Sequence, residues 1–425
     1  MERGLKGAWA LLLTLCVASF SITLRELEKS ALKNFHQLKV ERLEQEKKKQ
    51  ERLERLGRLL PQINLEASFN LSKKQSFTFN APPLPPQEFI FQKGSYPKLT
   101  LQVVQNLFNL RDFREYEIAR KSESLQSFLV REKENELLYN VRSAYLSALQ
   151  AKATLEIYRK YLELVEAHLR DVKELYKEGI VAFKDVLETQ VKLYDLKEDI
   201  ARAWANFRKA LKSLSYLAGR KVEDVEEDKL NAPEELLTLS REELRKRLRE
   251  KRPILKYMEG NLELSEDYIK LSKASFYPVV SLEAFYQRTE ESDLFPKDRY
   301  LVSIALRWNI FSGMRRFRAL EMSGIAKRQL LERYRDTLEK LYLELDNVLE
   351  DIEAVRSRIE LASQQLKDAK EHLRIAQEKY KAGLGTNTEV LDAQSYLIRA
   401  QNTLRIERYE LIKKLFKLKE VIGDG

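Results

Sequence analysis

Residues that could carry catalysis or bind a metal are scarce in this sequence. Its 425 residues include three histidines, at positions 36, 168 and 372, and one cysteine, Cys16. Zinc sites and cysteine–histidine catalytic centres need several such side chains close together. The motifs G-x-x-x-x-G-K-[ST], G-x-G-x-x-G, H-E-x-x-H and G-x-S-x-G are all absent. We therefore expect no enzyme activity, no cofactor and no metal site.

Two of the histidines, His168 and His372, occupy equivalent positions in a repeated sequence. Three chains together would bring them into two sets of three, an arrangement that could bind a metal or sense pH. We favour the simpler interpretation that both are packed or solvated residues inherited by duplication.

The repeat becomes visible when the sequence is aligned with itself at an offset of 204 residues. No gap is needed from the first matched pair to the last, so the chain consists of two copies of one unit. The equivalent pairs include His168 and His372, Tyr176 and Tyr380, Gly179 and Gly383, Gln190 and Gln394, and Gly219 and Gly423.

Each copy carries apolar residues at every seventh position, which predicts coiled-coil packing of long helices. The series run from Val141 to Tyr176 and from Val186 to Leu214 in the first copy, and from Leu345 to Tyr380 and from Val390 to Leu418 in the second. No proline interrupts residues 98–232 or 297–425. Each copy is thus predicted to be a helical hairpin with a left-handed glycine, Gly179 or Gly383, at its tip. One helix over 111–177 would be about 100 Å long.

Before each predicted helical hairpin, the sequence alternates between apolar and polar residues with a period of two. Apolar and polar residues alternate at 63–72 and 99–103 in the first copy, and at 281–286 and 302–310 in the second. This predicts four strands with one apolar face each, and aromatic residues near their ends are typical of outer-membrane barrels. Two ordinary β-hairpins that cap a helical bundle are the alternative. The predicted lipid-facing residues are Leu65, Phe69, Leu101, Ile304, Leu306 and Trp308.

The N-terminus has the pattern of a secretory signal. Arg3 and Lys6 precede an apolar run over 8–21, which charged residues follow at once. So short a run behind a basic start favours a cleaved signal over a membrane anchor. Lipidation of Cys16 is a third option, which we disfavour because bulky Leu15 precedes it. The net charge of +10 comes from lysines and arginines interleaved with acids, so we expect no nucleic-acid binding.

Four strands cannot close a barrel, because the smallest outer-membrane barrels have eight. An open sheet edge also has no place in lipid. We therefore expect the chain to pool its strands with copies of itself, and a barrel of more than eight strands can hold a channel. A mainly α chain with a small β part, exported and pooled in this way, predicts a duct in the outer membrane with a long periplasmic extension.

The expected organisation follows from these patterns. Its segments are a signal peptide at 1–19, N-terminal helices at 20–60, a first barrel hairpin at 61–110, a first helical hairpin at 111–219, an equatorial segment and helix at 220–275, a second barrel hairpin at 276–312, and a second helical hairpin with the C-terminus at 313–425.

These segments resemble the outer membrane efflux protein family, the TolC-like exit ducts. The resemblance rests on an opening helix from Thr23, on junctions at 106–109 and 309–313, and on a doubled tip motif: Tyr176-x-x-Gly179 before Asp185-Val186-Leu187-x-x-Gln190, and Tyr380-x-x-Gly383-x-x-Thr386 before Glu389-Val390-Leu391-x-x-Gln394. It implies a homotrimer with a twelve-stranded barrel and a tunnel of twelve helices. It also implies docking to a periplasmic membrane-fusion adaptor and an inner-membrane pump or ABC transporter.

The resemblance further implies where partners and gates lie. Adaptor contacts are expected at the hairpin tips: Gly179, Ile180, Gly383, Leu384, Gly385 and Thr386. The first tip departs from the family pattern because it lacks the threonine. Some family members narrow the tunnel with acidic rings before the second tip, and the candidates here are Glu371 and Glu378, with Arg374 between them.

The implied function is the outer-membrane duct of a tripartite efflux or type I secretion system. Drugs, metal ions and secreted proteins are all compatible cargo. The alternative is a periplasmic coiled-coil adaptor or structural protein that docks to such a duct. Adaptors usually carry one helical hairpin, so the strands before each of two hairpins argue against that alternative.

Overall fold

A computed structural model describes residues 23–227 and 232–424 of the chain. The expected signal peptide, with Cys16, lies outside the described residues. What is described is mostly helical with a small sheet component, as the seven-residue and two-residue periods predict.

Eight α-helices are present in the described chain, and two of them are unusually long. The helices are α1 (Leu24–Asn34), α2 (His36–Gly57), α3 (Leu110–Lys177), α4 (Phe183–Ala218), α5 (Arg241–Lys251), α6 (Pro253–Ala274), α7 (Arg315–Lys381) and α8 (Asn387–Val421), with a short 3-10 helix at Glu234–Thr238. Helix α3 has 68 residues and α7 has 67. Each is followed by a short turn and a returning helix, α4 or α8, so both copies form a helical hairpin.

Six strands form two antiparallel sheets. The strands are β1 (Gln62–Leu71), β2 (Gln75–Phe79), β3 (Gln87–Gln92), β4 (Ser95–Phe108), β5 (Val279–Thr289) and β6 (Asp298–Arg307). A four-stranded sheet has the order β1-β4-β5-β6, and β2 pairs with β3 alone.

Two sequence predictions about the strands need correction. The strand predicted to run from 302 through 310 ends at Arg307, so Trp308 lies just beyond β6. Its indole nitrogen donates to the carbonyl oxygen of Phe276 at 3.0 Å, outside the strand ladder. The small β2–β3 sheet lies where only an exposed proline-rich loop was expected. That loop, around Pro82, does connect the two short strands.

The chain divides into two compact units. The helical unit comprises the described parts of Met1–Glu41, Val130–Pro253 and Leu338–Gly425. The sheet unit comprises Arg42–Leu129 and Ile254–Thr337, and therefore holds all six strands.

The helical unit is built around the heptad positions. Val141, Ala148 and Leu155 of α3 are buried together with Phe207 and Leu214 of α4. In the second copy, the buried heptad positions include Leu345, Ile352 and Leu373 of α7, and Val390, Leu404 and Leu418 of α8. Burial at seven-residue intervals is the contact pattern of coiled-coil helices.

A buried ion pair fixes the C-terminus of the helical unit. Arg252, at the end of α5, is 7% exposed and Glu420, near the end of α8, is 4% exposed. Their side chains are 2.9 Å apart, and Arg252 also meets Glu132 of α3 at 2.6 Å. The Arg252 guanidinium additionally donates to the carbonyl oxygen of Glu420. One arginine thus ties three helices together.

Candidate functional site

The four-stranded sheet has one apolar face, which its register defines. Leu65 of β1 lies opposite Leu101 of β4, and Leu101 lies opposite Tyr286 of β5. Leu282 of β5 lies opposite Ile304 of β6. Directly opposed residues of antiparallel strands share a face, so the apolar residues of all four strands form one continuous surface. We call it the apolar sheet face.

Much of the apolar sheet face is left uncovered by the described part of the chain. The predicted residues Leu65, Phe69, Ile304 and Leu306 are all exposed, and Ile304 is 71% exposed. A contiguous apolar surface of this kind marks a site that lipid or another protein covers.

The opposite face of the same sheet is largely polar, although Phe285 of β5 and Leu301 of β6 lie opposite each other on it. Asn64 lies opposite Gln102, and Glu66 lies opposite Thr100. Glu283 of β5 lies opposite Ser303 of β6 and pairs with Arg307 at 2.5 Å. The sheet is therefore amphipathic from strand to strand. Within the described chain, its two outer strands, β1 and β6, each pair along one side only.

The two hairpin tips have the same backbone geometry. Gly179 has φ +74° and Gly383 has φ +71°, both in the left-handed region. At the first tip, Ile180 N donates to the carbonyl oxygen of Leu175 at 2.9 Å, and at the second Leu384 N donates to that of Lys379 at 2.9 Å. This is the Schellman arrangement that ends a helix, as the sequence predicted for these glycines.

Each tip presents an apolar side chain next to its glycine. Leu384 is 83% exposed and Ile180 is 63% exposed. Gly385 follows Leu384, and Thr386 then begins α8, where its hydroxyl accepts from the backbone N–H of Glu389 at 3.2 Å. Thr386 is therefore a helix N-cap. Its hydroxyl points into its own helix, so Leu384 is the more accessible group.

A buried polar cluster joins the two hairpins close to their tips. His168 Nε2 of α3 lies 2.8 Å from Asn387 Oδ1 of α8. A carbonyl oxygen can only accept, so the neutral imidazole carries its proton on Nε2. Asn387 Nδ2 in turn donates to the carbonyl oxygen of Asp185 and to Thr189 Oγ1, both at 3.1 Å. We call His168, Asn387 and Thr189 the hairpin link.

Burial sets the protonation of the hairpin link. His168 is 9% exposed and packs edge-on against the ring of Tyr380 at 5.6 Å between centroids. Burial lowers the pKa of His168, against the opposing effects of its bond to Asn387 and of the Asp171 carboxylate. The ring is therefore held neutral, as a packed residue.

Sequence reasoning missed Asn387, the centre of this cluster. Asn387 is 2% exposed, although it stands at the start of a helix beside an exposed turn. The signal in the sequence that could have found it is a difference between the two copies: the second has Asn387 where the first has Phe183. The other repeated histidine, His372, is exposed, and its ring lies 5.9 Å from that of Tyr396 between centroids.

The predicted constriction residues form an ion-pair cluster on α7. Arg374 donates to Glu371 at 2.6 Å and to Glu378 at 2.7 Å. Its guanidinium lowers the pKa of Glu371, and the two carboxylates raise the pKa of Arg374 further above its ordinary value. All three side chains are exposed. The local charge is thus one negative unit rather than two.

The described chain carries neither a membrane-spanning helix nor a cluster of metal ligands. No helix within residues 23–227 and 232–424 is long and apolar enough to cross a membrane. The same ranges contain no group of three or more histidine, cysteine, aspartate or glutamate side chains arranged to hold a metal ion.

The match to a known family decides the assignment. A model of the outer membrane efflux protein family matches residues 27–220 and 244–424. The chain belongs to this family. Both matched segments contain one helical hairpin with its tip, so the family pattern covers both copies of the repeat.

Individual relatives of the family agree with this assignment. Outer membrane protein TolC of Vibrio cholerae serotype O1 is 22% identical over 377 residues, which cover 86% of this chain and 82% of that protein. The structure of CusC has a TM-score of 0.80 at 19% identity, covering 96% of this chain and 93% of that chain. The CmeC outer membrane channel of Campylobacter jejuni has a TM-score of 0.76 at 16% identity, covering 95% and 86%. The structural likenesses show a shared fold.

Proposed function

We propose that three copies of this chain form an outer-membrane duct of a tripartite efflux or type I secretion system. The observation that carries the proposal is the four-stranded sheet, with one exposed apolar face, one polar face and two open edges. Pairing β6 of one copy with β1 of the next would close these edges into a twelve-stranded barrel. Lipid would then cover the apolar sheet face, and the polar face would line a water-filled channel.

Family membership supports this duct over the periplasmic adaptor considered from the sequence. The relatives named above are an outer membrane protein, a protein that forms a transmembrane channel and an outer membrane channel. We therefore place the chain in the outer membrane, with its helical hairpins in the periplasm as a tunnel of twelve helices in the trimer. The duct passes its cargo without changing it chemically.

Paired substitutions on the two faces of β6 test the barrel. Replacing Ile304 by Arg puts a charge on the lipid side of each subunit, which costs about 2–4 kcal/mol near the middle of the bilayer. Ser303→Arg, one residue away on the polar face, is the matched control. We expect the Ile304 variant to lose trimer assembly in membranes and the Ser303 variant to keep it, as measured by mass in detergent and by conductance across planar bilayers.

Two results would refute the barrel. One is a stable monomer of the unaltered protein with folded strands. The other is equal damage from both substitutions, which would mean that the sheet is packed on both sides, as in a capped bundle.

We further propose that the hairpin tips contact a periplasmic membrane-fusion adaptor, which links the duct to an inner-membrane pump or ABC transporter. The exposed Leu384 and Ile180 support this, because no neighbouring group in the described chain covers either side chain. The contact would also involve the small residues Gly179, Gly383 and Gly385 and the cap Thr386. We propose that Glu371, Arg374 and Glu378 line a constriction of the tunnel above these tips.

Leu384→Asp tests the docking surface. The side chain has no packing to lose, so trimer yield and melting temperature should stay within experimental error. Export and cross-linking to a co-expressed adaptor should be lost. If this variant exports normally, the tips are only turns and the adaptor binds elsewhere.

A further inference from the structure

A cavity of about 470 Å³ lies in the sheet unit, between the end of α6 and the beginnings of α3 and α7. Its polar lining consists of Arg111, Arg315, Arg316, Ser272, Ser275, Ser312 and Asn309. No carboxylate belongs to the lining. We call this cavity the arginine pocket.

A second cavity, of about 500 Å³, shares Arg111, Ser275 and Asn309 with the arginine pocket. It adds Trp308 and Tyr277 and reaches Val279, the first residue of β5. The arginine pocket therefore opens toward the end of the four-stranded sheet.

The pocket carries uncompensated positive charge. Arg111 pairs with Glu115 at 3.0 Å, but Glu115 is shared with Arg55 and Arg58, at 3.0 and 3.2 Å. Arg316 is held by the carbonyl oxygens of Ile310 and Ser275, at 2.7 and 3.1 Å, and its guanidinium lies over the ring of Phe276. Among the residues that the structure describes, it has no acidic partner.

The side chain of Arg315 makes fewer hydrogen bonds than that of Arg316. Its Nε donates to the carbonyl oxygen of Ser312 at 3.2 Å. No other hydrogen bond or ion pair engages its guanidinium within the described part of the chain. Its two terminal nitrogens are therefore available to a ligand, and Ser272 and Asn309 line the same cavity.

These groups define the chemistry of the ligand. A guanidinium with free terminal N–H groups binds phosphate oxygens in a forked geometry, and hydroxyl and amide donors complete such sites. These groups therefore suit an oxyanion, and a phosphate group matches both the forked guanidinium and the additional donors.

The surroundings indicate how that anion is carried. Trp308, Ile310 and Phe311, all exposed, lie in the sequence between the end of β6 and Arg315. Aromatic side chains at the edge of an apolar band mark the headgroup level of a bilayer, and basic side chains there attract anionic lipids. A phospholipid would lay its acyl chains on the apolar sheet face and its phosphate in the pocket.

We propose that the arginine pocket binds the headgroup of an anionic phospholipid. The proposal rests on the outer-membrane location proposed above, because only there does lipid cover the apolar sheet face. Inorganic phosphate offers the same oxygens as a lipid headgroup, so the experiment must distinguish binding of the lipid from binding of free phosphate.

The test uses the purified full chain in a neutral detergent. It is titrated with dihexanoylphosphatidylglycerol, dihexanoylphosphatidylcholine and inorganic phosphate, and bound ligand is counted by native mass spectrometry. We expect the anionic lipid to bind more tightly than the other two. Arg315→Gln should weaken it about tenfold, as expected for the loss of a charge-assisted hydrogen bond.

Arg318→Gln is the matched control, because Arg318 is exposed, pairs with Glu321 at 2.8 Å and does not line the pocket. It should leave the affinity within about twofold. Equal losses in the two variants would overturn the proposal, since surface charge alone would then explain binding. Phosphate binding as tightly as the anionic lipid, with the same loss in the Arg315 variant, would overturn the lipid assignment.

This assay and the test of the duct fail separately. Lipid binding is read in detergent and needs no conductance. If the protein binds the anionic lipid selectively but never conducts, the duct is refuted and the lipid site stands. If it conducts but does not bind the anionic lipid selectively, the lipid site is refuted and the duct stands.

Discussion

The hairpin link gives the sharpest test of how the two hairpins are held together. Asn387→Ala removes the acceptor of His168 Nε2, at 2.8 Å, and the donor to Asp185 and Thr189, both at 3.1 Å. Each buried hydrogen bond contributes about 1 kcal/mol, and an orphaned buried partner adds to the loss. We therefore expect a loss of about 3 kcal/mol, or about a hundredfold in the local opening equilibrium.

Hydrogen exchange at the start of α8 measures this opening directly. Amides 391–397 should lose about a hundredfold of protection in Asn387→Ala, while amides in the middle of α3 keep theirs. The control is Thr388→Ala, whose exposed hydroxyl donates to Glu188 at 3.2 Å and should matter by less than about threefold. If the two variants differ by less than about fivefold, the buried cluster does not hold the tip.

Two further predictions concern ionisable groups of the helical unit. Burial lowers the pKa of His168, so the opened state takes up a proton more readily than the closed state. The protection of the α8 amides from hydrogen exchange should therefore be complete above pH about 6.5 and should fall as the pH drops below that value. His168→Gln should flatten the pH dependence of this protection between pH about 6.5 and about 5. If the variant keeps the slope of the unaltered protein, another group causes the pH dependence. Arg252→Met should cost about 3 kcal/mol in chemical denaturation, because Glu420 and Glu132 both lose their shared arginine and only Lys417, at 2.8 Å, still pairs with the buried Glu420. Arg241→Met, which breaks an exposed pair with Glu350 at 2.7 Å, should cost about 1 kcal/mol or less, and equal costs would mean that the buried pair is not needed for stability.

The elements that follow a regular period were predictable from the sequence. The heptads predicted both helical hairpins, and the left-handed glycines placed their tips. The alternation at Leu65 and Ile304 predicted their shared face, because a strand's side chains alternate whatever its neighbour is. The order β1-β4-β5-β6 was not predictable in this way, since strand pairing depends on residues far apart in the chain.

The β2–β3 sheet and the hairpin link were not predicted from the sequence, for physical reasons. Strands β2 and β3 have only five and six residues, and the prolines between them dominate the local composition. Strand β2 alternates, but β3 contains the consecutive apolar residues 89–91 and gives no two-residue period. The structure pairs the two strands, and Phe77 lies opposite Phe89 with the rings stacked at 5.2 Å between centroids. The hairpin link gave no comparable pattern, because its three residues come from three different helices.

The divergence of the two copies explains why the hairpin link occurs once per chain. Within the chain, His168 of the first hairpin meets Asn387 of the second. In the proposed trimer, the equivalent neighbour of the exposed His372 is Phe183 of the next chain, because position 183 is the repeat of position 387. A phenyl ring cannot accept the hydrogen bond that Asn387 accepts. The duct would therefore have three polar links within chains and apolar contacts between chains, so a force at the tips would separate neighbouring chains before it separated the hairpins of one chain.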